Sequence, residues 1–320
     1  MRYAVTGAAG FIGSHLAEAL EAQGHQVVGI DSFTDYYDPA LKERNVEGLR
    51  ASPRFTLVRA DLAADDLESV VAGIDYIFHQ SGQPGVRRSW GKSFEPYVRC
   101  NVIATQRLLE AARTVAGLRR FVNASSSSIY GNATELPVTE QALPKPVSPY
   151  GVTKLAAEHL ATLYADLGVP AVSLRYFTVY GPRQRPDMAF NVFLRALLAG
   201  RDIDVNGDGE QTRDFTFVAD AVEANVAAAS APRETVVGRH YNIGGGSRVT
   251  VNHTIRMLEE ITGRRATVRY GAPQPGDARD TLADTTAARA DLGFAPFWSL
   301  SDGLRAEADW MASVSAEMRD

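Results

Sequence analysis

A glycine-rich turn near the start of the chain restricts the fold most strongly. Tyr3 to Thr6 is a short apolar run, the turn Gly7-Ala-Ala-Gly10-Phe-Ile-Gly13 follows it, and a helical pattern continues from Ser14 to Ala22. The apolar run from Gln26 to Ile30 comes next and ends in Asp31. This order predicts a βαβ unit, in which two parallel strands lie in one sheet and a helix covers them.

The same turn predicts a dinucleotide site. Glycines let the backbone turn tightly and approach a pyrophosphate, while the N-terminus of the next helix supplies N–H donors and a positive dipole. Asp31 falls where a carboxylate accepts hydrogen bonds from the adenosine ribose, and its charge repels a 2′-phosphate. We therefore expect NAD rather than NADP as the cofactor.

The alternation of strands and helices continues through the first half of the chain. Further strands are predicted at Thr56 to Ala60, Tyr76 to His79, Arg120 to Ala124 and Val172 to Phe177. We predict an α/β fold with a Rossmann-type doubly wound parallel sheet and a smaller mixed α/β C-terminal substrate lobe. The predicted domains are residues 1–178 and 179–320, and segments around 213–245 are expected to return to the first domain.

A tyrosine and a lysine form the predicted catalytic pair. Pro149 suits the first turn of a helix, and the pattern after it predicts a helix from Val152 to Leu167. Tyr150 and Lys154 then share one helical face, since they lie four residues apart. An ammonium close to a phenol stabilises the phenolate and lowers its pKa, which makes a general base for an alcohol proton. The alternative is a surface contact between residues i and i+4.

Composition excludes several classes of function. The net charge of −5 and the lack of a dense basic run argue against nucleic-acid or membrane partners. The single cysteine, Cys100, excludes internal disulfides, and the six histidines lack metal-ligand spacing, so we predict no metal. We expect a cytoplasmic protein. More than one apolar stripe on the helix after Pro149 predicts a homodimer, with one face on the sheet and another on a partner.

These motifs together resemble the extended short-chain dehydrogenase/reductase family over nearly the whole chain. The resemblance rests on the glycine turn, Asp31, Asp61-Leu62, the run Ser125-Ser-Ser-Ser-Ile-Tyr130-Gly131, the Tyr150 to Lys154 motif, and Arg175-Tyr-Phe-Thr-Val-Tyr-Gly-Pro182. It implies a tightly bound NAD, Tyr150 as the base, Lys154 on the nicotinamide ribose, and Ser126 hydrogen-bonded to the reacting oxygen. The implied cofactor contacts are Gly7, Gly10, Phe11, Ile12, Gly13, Asp31, Ser32, Asp61, Leu62, Gln80, Ser81, Asn101, Tyr150, Lys154 and Tyr176.

The two residues after Ser126 bear on the reaction. Related nucleotide-sugar dehydratases and decarboxylases carry carboxylic acids there, whereas this chain has Ser127 and Ser128, which cannot act as acid or base at neutral pH. The resemblance then implies C4 epimerisation of a UDP-sugar through a 4-keto intermediate. Thr178 and the stretch Arg185-Pro-Asp-Met-Ala189 are similar to UDP-glucuronate 4-epimerases. The implied substrate contacts are Arg87, Ser127, Ser128, Thr178, Arg185, Arg213 and Asp277.

Several departures and alternatives remain open at this stage. Gln80-Ser81-Gly82 stands where relatives usually have an apolar Leu-Ala-Ala, and Arg88 stands where uronate epimerases often have tyrosine. Asn101 is either a polar surface residue or a buried amide that orients water or the lysine; the latter is favoured. The alternative functions are a UDP-glucose/UDP-galactose 4-epimerase, a non-catalytic NAD-binding regulator, and a reductase that consumes NADH.

Overall fold

A seven-stranded parallel sheet organises the computed structural model, which describes residues 1–317 of the chain. Its strand order is β3-β2-β1-β4-β5-β6-β10, and each neighbouring pair is parallel. The strands are β1 (Arg2–Thr6), β2 (Gln26–Asp31), β3 (Phe55–Arg59), β4 (Tyr76–His79), β5 (Arg120–Ser126), β6 (Ala171–Tyr176) and β10 (His240–Ile243). The order reverses direction after β1, as in doubly wound folds, which confirms the predicted Rossmann-type sheet.

Helices cover both faces of this sheet. The first face carries α1 (Phe11–Ala22), α2 (Pro39–Arg50) and α8 (Val218–Ser230). The second face carries α3 (Leu67–Val71), α5 (Ala104–Thr114) and α6 (Pro149–Asp166). Two apolar clusters fill the layers between sheet and helices, because strands buried on both faces are apolar on both sides.

The smaller part of the chain contains two short sheets. One has the order β11-β9-β7 and the other pairs β12 with β8. Their strands are β7 (Thr178–Tyr180), β8 (Ile203–Asn206), β9 (Thr212–Phe217), β11 (Arg248–Thr250) and β12 (Val268–Gly271). The remaining α-helices are α4 (Phe94–Tyr97), α7 (Ala189–Leu198), α9 (Arg233–Val236), α10 (Val251–Thr262), α11 (Thr286–Leu292) and α12 (Leu300–Glu317). Helix α8 and strand β10 follow residue 178 but pack with the large sheet. After residue 178 the chain therefore leaves the large sheet, returns to it through α8 and β10, and then leaves it again.

The glycine turn needs its glycines for close packing. Gly7 has φ +68°, and a Cβ on it would lie 2.9 Å from the backbone nitrogen of Ser81. A Cβ on Gly13 would lie 2.1 Å from the carbonyl oxygen of Gly7. The first turn of α1 therefore rests directly on the turn, and the loop after β4 rests on the turn from the other side.

Two local features differ from the expected pattern. Helix α2 was not predicted, although Asp38 caps it through the N–H of Ala40 and Pro39 occupies its first turn. Residues 94–114 do not form one continuous α-helix, because Val98–Ile103 adopts a π-helical turn between α4 and α5. Such turns are common at functional sites, and this one directs Asn101 into the cavity described below.

Within residues 1–317, the helices do not include one with the length and apolar character that crossing a membrane requires.

Candidate active site

A deep cavity lies along the carboxyl ends of β1, β2, β4, β5 and β6. This is the edge at which parallel sheets of this type bind ligands. Every predicted cofactor contact lines the cavity, namely Gly7, Gly10, Phe11, Ile12, Gly13, Asp31, Ser32, Asp61, Leu62, Gln80, Ser81, Asn101, Tyr150, Lys154 and Tyr176. The fold thus gathers residues that are up to 169 positions apart in the sequence.

The start of α1 is suited to a diphosphate. Gly10 is the N-cap residue and offers no side-chain hydrogen bond to the first turn of the helix. The N–H groups of Phe11, Ile12 and Gly13 therefore keep their hydrogen-bonding capacity, and the helix dipole adds partial positive charge. Since all three residues line the cavity, this end fits the pyrophosphate of a dinucleotide.

Two carboxylates mark the adenosine end of the cavity. Asp31 is buried and accepts hydrogen bonds from the N–H of Ala9 (3.1 Å) and of Phe33 (2.8 Å). The ammonium of Lys42 lies 3.8 Å from it, so the charge of Asp31 is partly balanced. Asp61 pairs with Arg99, which lowers the pKa of that carboxyl against the opposing effect of burial. The Asp61 carboxyl thus stays ionised at neutral pH beside the cavity.

Helix α6 brings Tyr150 and Lys154 into the same wall. Ser148 caps the helix by accepting a hydrogen bond from the N–H of Gly151 (3.1 Å), and Pro149 occupies the first turn. Lys154 is buried, and its Nζ donates to the carbonyl oxygen of Ala124 at the end of β5. The Tyr150 ring packs edge-on against Tyr97, with 6.2 Å between ring centres.

The pKa values of this pair differ from the sequence-based expectation. Burial raises the pKa of Tyr150, while a hydrogen bond from Ser126 and the charge of Arg185 oppose the increase. Burial also lowers the pKa of Lys154 to about 8, against the charge of Glu158. The expectation that Lys154 lowers the pKa of the Tyr150 phenol is therefore wrong. Burial raises the pKa of the phenol, and the lysine loses its proton at a lower pH than the tyrosine does.

A buried polar network supports the serine run at the end of β5. The Glu158 carboxylate accepts two hydrogen bonds from Arg175 (3.0 and 2.6 Å) and one from Ser125 (2.6 Å). Arg175 also donates to the hydroxyl of Tyr130 (2.6 Å). Since all of these charges are paired, the network is rigid and holds Ser126 next to Tyr150.

Asn101 organises the loop after β4. Its side-chain oxygen accepts from the N–H of Gln83 (2.6 Å), and its amide donates to the Gln83 carbonyl (3.1 Å) and to Thr153 (3.0 Å). It is buried, as the favoured interpretation requires, but it orients the loop and the helix of Lys154 and makes no hydrogen bond to the lysine within residues 1–317.

His79 fixes the end of β4 in a neutral form. Its Nδ1 and Nε2 lie 2.9 Å from the hydroxyls of Thr6 and Thr105. The Thr105 hydroxyl donates to the carbonyl of Asn101 (2.7 Å), so Nε2 donates and Nδ1 accepts. Burial lowers the pKa of His79 to about 3. The ring is therefore a structural element of the cavity wall at neutral pH.

The unusual Gln80 has a dedicated partner. Its amide donates to Asn225 of α8 (2.9 Å), and its oxygen lies 3.2 Å from the hydroxyl of Tyr176, which donates to it. The Asn225 amide donates to the same hydroxyl (2.7 Å). A polar residue is thus accommodated where relatives usually have leucine, because the helix behind the cavity supplies hydrogen bonds.

The predicted substrate residues fall into two groups. Arg87 donates to Asp277 through Nε (3.1 Å) and Nη2 (2.7 Å), and Arg213 lies close enough to both for their charges to affect its pKa. Ser127 and Ser128 form a 3₁₀ turn after Ser126. Thr178 begins β7, and Arg185 lines the cavity next to Tyr150.

The chain matches the profile of the NAD dependent epimerase/dehydratase family over residues 3–244. The protein belongs to this family. The predicted resemblance is therefore confirmed, and so is NAD as the cofactor.

Individual relatives are similar over almost their full length. The crystal structure of a UDP-glucuronic acid 4-epimerase from Bacillus cereus, in complex with UDP-glucuronic acid and NAD, is 44% identical with a TM-score of 0.94 and covers 98% of this chain and 100% of that one. An uncharacterised UDP-glucose epimerase of Bacillus subtilis is 43% identical over 98% of this chain and 99% of its own length. A probable UDP-glucuronate 4-epimerase of Rhizobium meliloti is 38% identical, with coverages of 97% and 96%.

Sequence reasoning missed several members of this family site. Thr34, Tyr36, Tyr37, Lys42, Gln83, Cys100 and Ser125 also line the cavity. Glu158 was missed as well, although it lies four residues after Lys154 and eight after Tyr150, on the same helical face. That spacing is the one signal that could have identified it. Within residues 1–317, no cluster of three or more His, Cys, Asp or Glu side chains is arranged to hold a metal ion.

Proposed function

We propose that this protein is an NAD-dependent UDP-sugar 4-epimerase that converts UDP-glucuronate to UDP-galacturonate through a 4-keto intermediate. One observation carries the proposal. Tyr150 and Lys154 line the cavity and Ser126 is hydrogen-bonded to Tyr150, while the positions next to Ser126 hold the hydroxyls of Ser127 and Ser128 where a dehydratase needs carboxylic acids. Without such acids, reversible oxidation at one carbon is the chemistry that the site supports.

Tyr150 acts on the proton of the sugar O4. The Ser126 hydroxyl and the positive charge of Arg185 both favour the phenolate of Tyr150, which takes the O4 proton. When bound, NAD would supply the hydride acceptor and donor for C4, and the cavity residues Gly10 to Gly13, Asp31 and Lys154 would hold it. Tyr150 then gives the proton back to O4, so no external oxidant or reductant is consumed. We propose that Lys154 holds the nicotinamide ribose and supplies positive charge beside the phenolate.

The nucleotide part of the substrate is assigned to the smaller lobe. Arg87, from the segment after β4, lies together with Arg213 and Asp277 of that lobe, and the guanidinium groups can donate to diphosphate oxygens. Arg213 donates to the carbonyls of Thr212 (2.9 Å) and Arg279 (3.0 Å) through Nη1, which orients its remaining donors. Asp277 keeps Arg87 in position through two hydrogen bonds.

A uronate carboxylate is the proposed group at C6. Ser127 and Ser128 after β5 and Thr178 at the start of β7 offer hydroxyl donors, and Arg185, which lines the cavity with its side chain 18% exposed, offers a guanidinium. These donors can satisfy the lone pairs of a carboxylate, whereas a neutral CH₂OH group gains no ionic attraction from the guanidinium. The Bacillus cereus and Rhizobium meliloti relatives, whose names specify UDP-glucuronate, support this assignment.

The test is incubation of the purified protein with UDP-glucuronate, with proton NMR as the readout of configuration at C4. We expect an equilibrium mixture with UDP-galacturonate and no net change in the NADH absorbance. Tyr150→Phe should reduce turnover by roughly 10²–10⁴-fold because it removes the acid–base group. A protein that makes no UDP-galacturonate, or a Tyr150→Phe variant that keeps full turnover, would contradict the proposal.

A UDP-glucose/UDP-galactose 4-epimerase is the second candidate. The Bacillus subtilis relative, which carries UDP-glucose epimerase in its name, is the observation in its favour. Turnover of both UDP-sugars under the same conditions separates the candidates. A higher kcat/KM for UDP-glucose than for UDP-glucuronate would establish this alternative. Net NADH consumption, or retention of NAD without any turnover, would instead point to the reductase or the regulator.

We also propose a cytoplasmic homodimer. Helix α6 exposes Val152, Leu163 and Leu167 to solvent by 49%, 53% and 54%, and Ile103 of the neighbouring π-helical turn is 45% exposed. Val152 and Leu163 of α6 and Leu167 directly after it lie on one helical face, so they form an apolar stripe that only the exposed His159 interrupts among the described residues. A second copy of the chain that presents the same stripe would cover it symmetrically.

A further inference from the structure

We propose that Asp187 is a positioning residue that holds Arg185 in the orientation that selects a uronate over a neutral sugar. This inference rests on the proposed function and deepens it. Asp187 lies in the loop between β7 and α7, two residues after Arg185, and has no role in the function derived above.

The contact uses one edge of the guanidinium. Nε of Arg185 donates to Oδ1 of Asp187 (3.0 Å), and Nη2 donates to Oδ2 (3.2 Å). Two parallel bonds of this kind fix the plane of the guanidinium as well as its position. Nη1 has no hydrogen bond to any residue of the range 1–317 and lies at the edge opposite Nε. Asp187 therefore leaves one edge of Arg185 available for a ligand carboxylate in the cavity that Arg185 lines.

Tyr36 fixes Asp187 from the other side of the cavity. Its hydroxyl donates to Oδ2 of Asp187 (3.2 Å), across 151 residues of sequence. The tyrosine is itself confined, because Arg88 lies over its ring at 5.1 Å and Gly85, with φ +99°, would place a Cβ 2.2 Å from its hydroxyl. The loop after β2 and the loop after β7 thus meet through this one hydrogen-bonded carboxylate.

The charges around this contact connect it with the reaction centre. Arg185 lowers the pKa of Tyr150, and Asp187 is the largest favourable influence on the Arg185 charge. The other titratable groups that face the pair are Tyr36, Tyr37, Tyr97 and Arg88. Asp187 thus offsets part of the positive charge that Tyr150 experiences. Its removal should make the phenolate more stable, since the opposing negative charge disappears.

Removal of Asp187 should therefore weaken the binding of a uronate and, at the same time, favour the phenolate of Tyr150. Without Asp187, Arg185 loses its fixed plane, so a ligand carboxylate must order the side chain on binding and gains less from it. A neutral C6 hydroxymethyl group makes no such demand, so its affinity should change little. At the same time the positive charge of Arg185 is no longer offset by Asp187. The acidic limb, which is the range of pH over which kcat rises, should therefore move to lower pH.

The experiment compares Asp187→Ala, Asp187→Glu and Tyr36→Phe with the unchanged protein. Dissociation constants for UDP-glucuronate and UDP-glucose are measured by calorimetry in a Tyr150→Phe background, so that turnover does not interfere. The pH dependence of kcat is measured with Tyr150 intact. Asp208→Ala is the matched control, because it removes another carboxylate that holds an arginine through two 3.0 Å bonds, at an exposed position away from the cavity.

For Asp187→Ala we expect roughly tenfold weaker binding of UDP-glucuronate, less than a twofold change for UDP-glucose, and an acidic limb at lower pH. Asp187→Glu should return the limb to its original pH because the charge is kept. Tyr36→Phe should weaken uronate binding less and leave the limb in place. Equal losses for both sugars with an unchanged limb, or tighter uronate binding without Asp187, would overturn the inference.

These outcomes are separable from failure of the proposed function. If the unchanged protein neither binds nor converts UDP-glucuronate, the proposed substrate is wrong. The position of the acidic limb can then still be measured with whichever UDP-sugar is converted. An Asp187→Ala limb that coincides with that of the unchanged protein on this substrate would refute the coupling by itself.

Discussion

At the scale of single residues, Tyr150 and Lys154 have to be considered as one titrating unit. The lysine, with its pKa of about 8, loses a proton before the tyrosine, whose pKa burial raises above its usual value. Loss of one proton from the pair gives either a phenol with an amine or a phenolate with an ammonium. In the proposed mechanism the second form takes the O4 proton, and the Ser126 hydroxyl together with the Arg185 charge increases its share.

The pH dependence of kcat tests this view. We expect kcat to rise with pH along a limb near pH 8, where the pair loses its first proton. Lys154→Met removes that proton and the charge, which leaves only a phenol of raised pKa. Its limb should move to higher pH, and kcat at pH 8 should fall by roughly 10²–10⁴-fold. Lys92→Met, at an exposed position, is the control; an unchanged limb in Lys154→Met would contradict the coupled titration.

The Gln80–Asn225 contact gives a second prediction at this scale. Asn225→Ala should destabilise the protein by about 1–3 kcal/mol because it leaves polar groups of Gln80 and Tyr176 without their partner. Gln80→Leu combined with Asn225→Ala should cost less than the sum of the two single changes. Urea unfolding at saturating NAD measures these free energies. Ser230→Ala, on the same helix, should stay within about 0.5 kcal/mol, and strict additivity would show that the contact contributes nothing.

At the scale of elements, the sequence predicted those helices and strands whose positions depend on residues close to one another in the chain. The glycine turn, the capped start of α6 and the apolar strands were read from neighbouring residues, and β1, β2, β4, β5 and β6 occur within a few residues of their predicted positions. Helix α2 was not predicted, although its start carries a local signal in the capping residue Asp38 and in Pro39 at the first turn. The short strands β11 and β12 are stabilised by distant partners in β9 and β8, which no local pattern reveals.

The site shows the same division between local and distant information. The predicted cofactor contacts sit at strand ends and helix starts, which the βαβ rule places at one edge of the sheet. Tyr36, Glu158 and Asp187 were not predicted, because their importance comes from side chains that the fold brings to them. The direction of the Tyr150 pKa shift was wrong for the same reason, since burial outweighs neighbouring charge only in three dimensions.

Helix α12 contains a buried carboxyl that should limit stability at neutral pH. Glu307 is fully buried; its Oε2 accepts from the N–H of Gly181 (2.9 Å), and its Oε1 has no partner among the described residues. Burial raises the pKa of Glu307 well above its ordinary value. A carboxyl with a raised folded-state pKa costs nothing when protonated. Stability is therefore lost as pH rises from the unfolded-state pKa through the folded-state value.

Glu307→Gln should remove this pH-dependent cost. The glutamine oxygen can still accept from Gly181, and no charge has to be buried. We expect Glu307→Gln to raise the thermal midpoint relative to the unchanged protein at pH 8, with the difference shrinking towards pH 4. Glu260→Gln on α10, whose side chain is exposed, serves as the control. A Glu307→Gln variant that is less stable at pH 8 would show that the ionised carboxylate contributes to the fold.

At the scale of the whole molecule, the large sheet places the reaction between two parts of the chain. The end of β5 and α6 supply Ser126, Tyr150 and Lys154, while the smaller lobe supplies Arg213 from β9 and Arg185 and Asp277 from loops. Because the chain returns to the sheet through α8 and β10, the two parts are connected by more than one segment. Helix α6 links this arrangement with assembly, since one of its faces carries the catalytic pair and another exposes the apolar stripe.

The stripe on α6 should therefore hold two copies of the protein together. Leu163→Lys places a charge in its middle, where burial against a partner would be costly, so we expect the dimer to dissociate. Sedimentation velocity at several concentrations measures the change in mass, and circular dichroism checks the fold. Val192→Lys, which replaces a 40% exposed valine on α7, is the matched control and should remain dimeric. A monomeric unchanged protein, or a Leu163→Lys variant that stays dimeric, would mean that this face is not the interface.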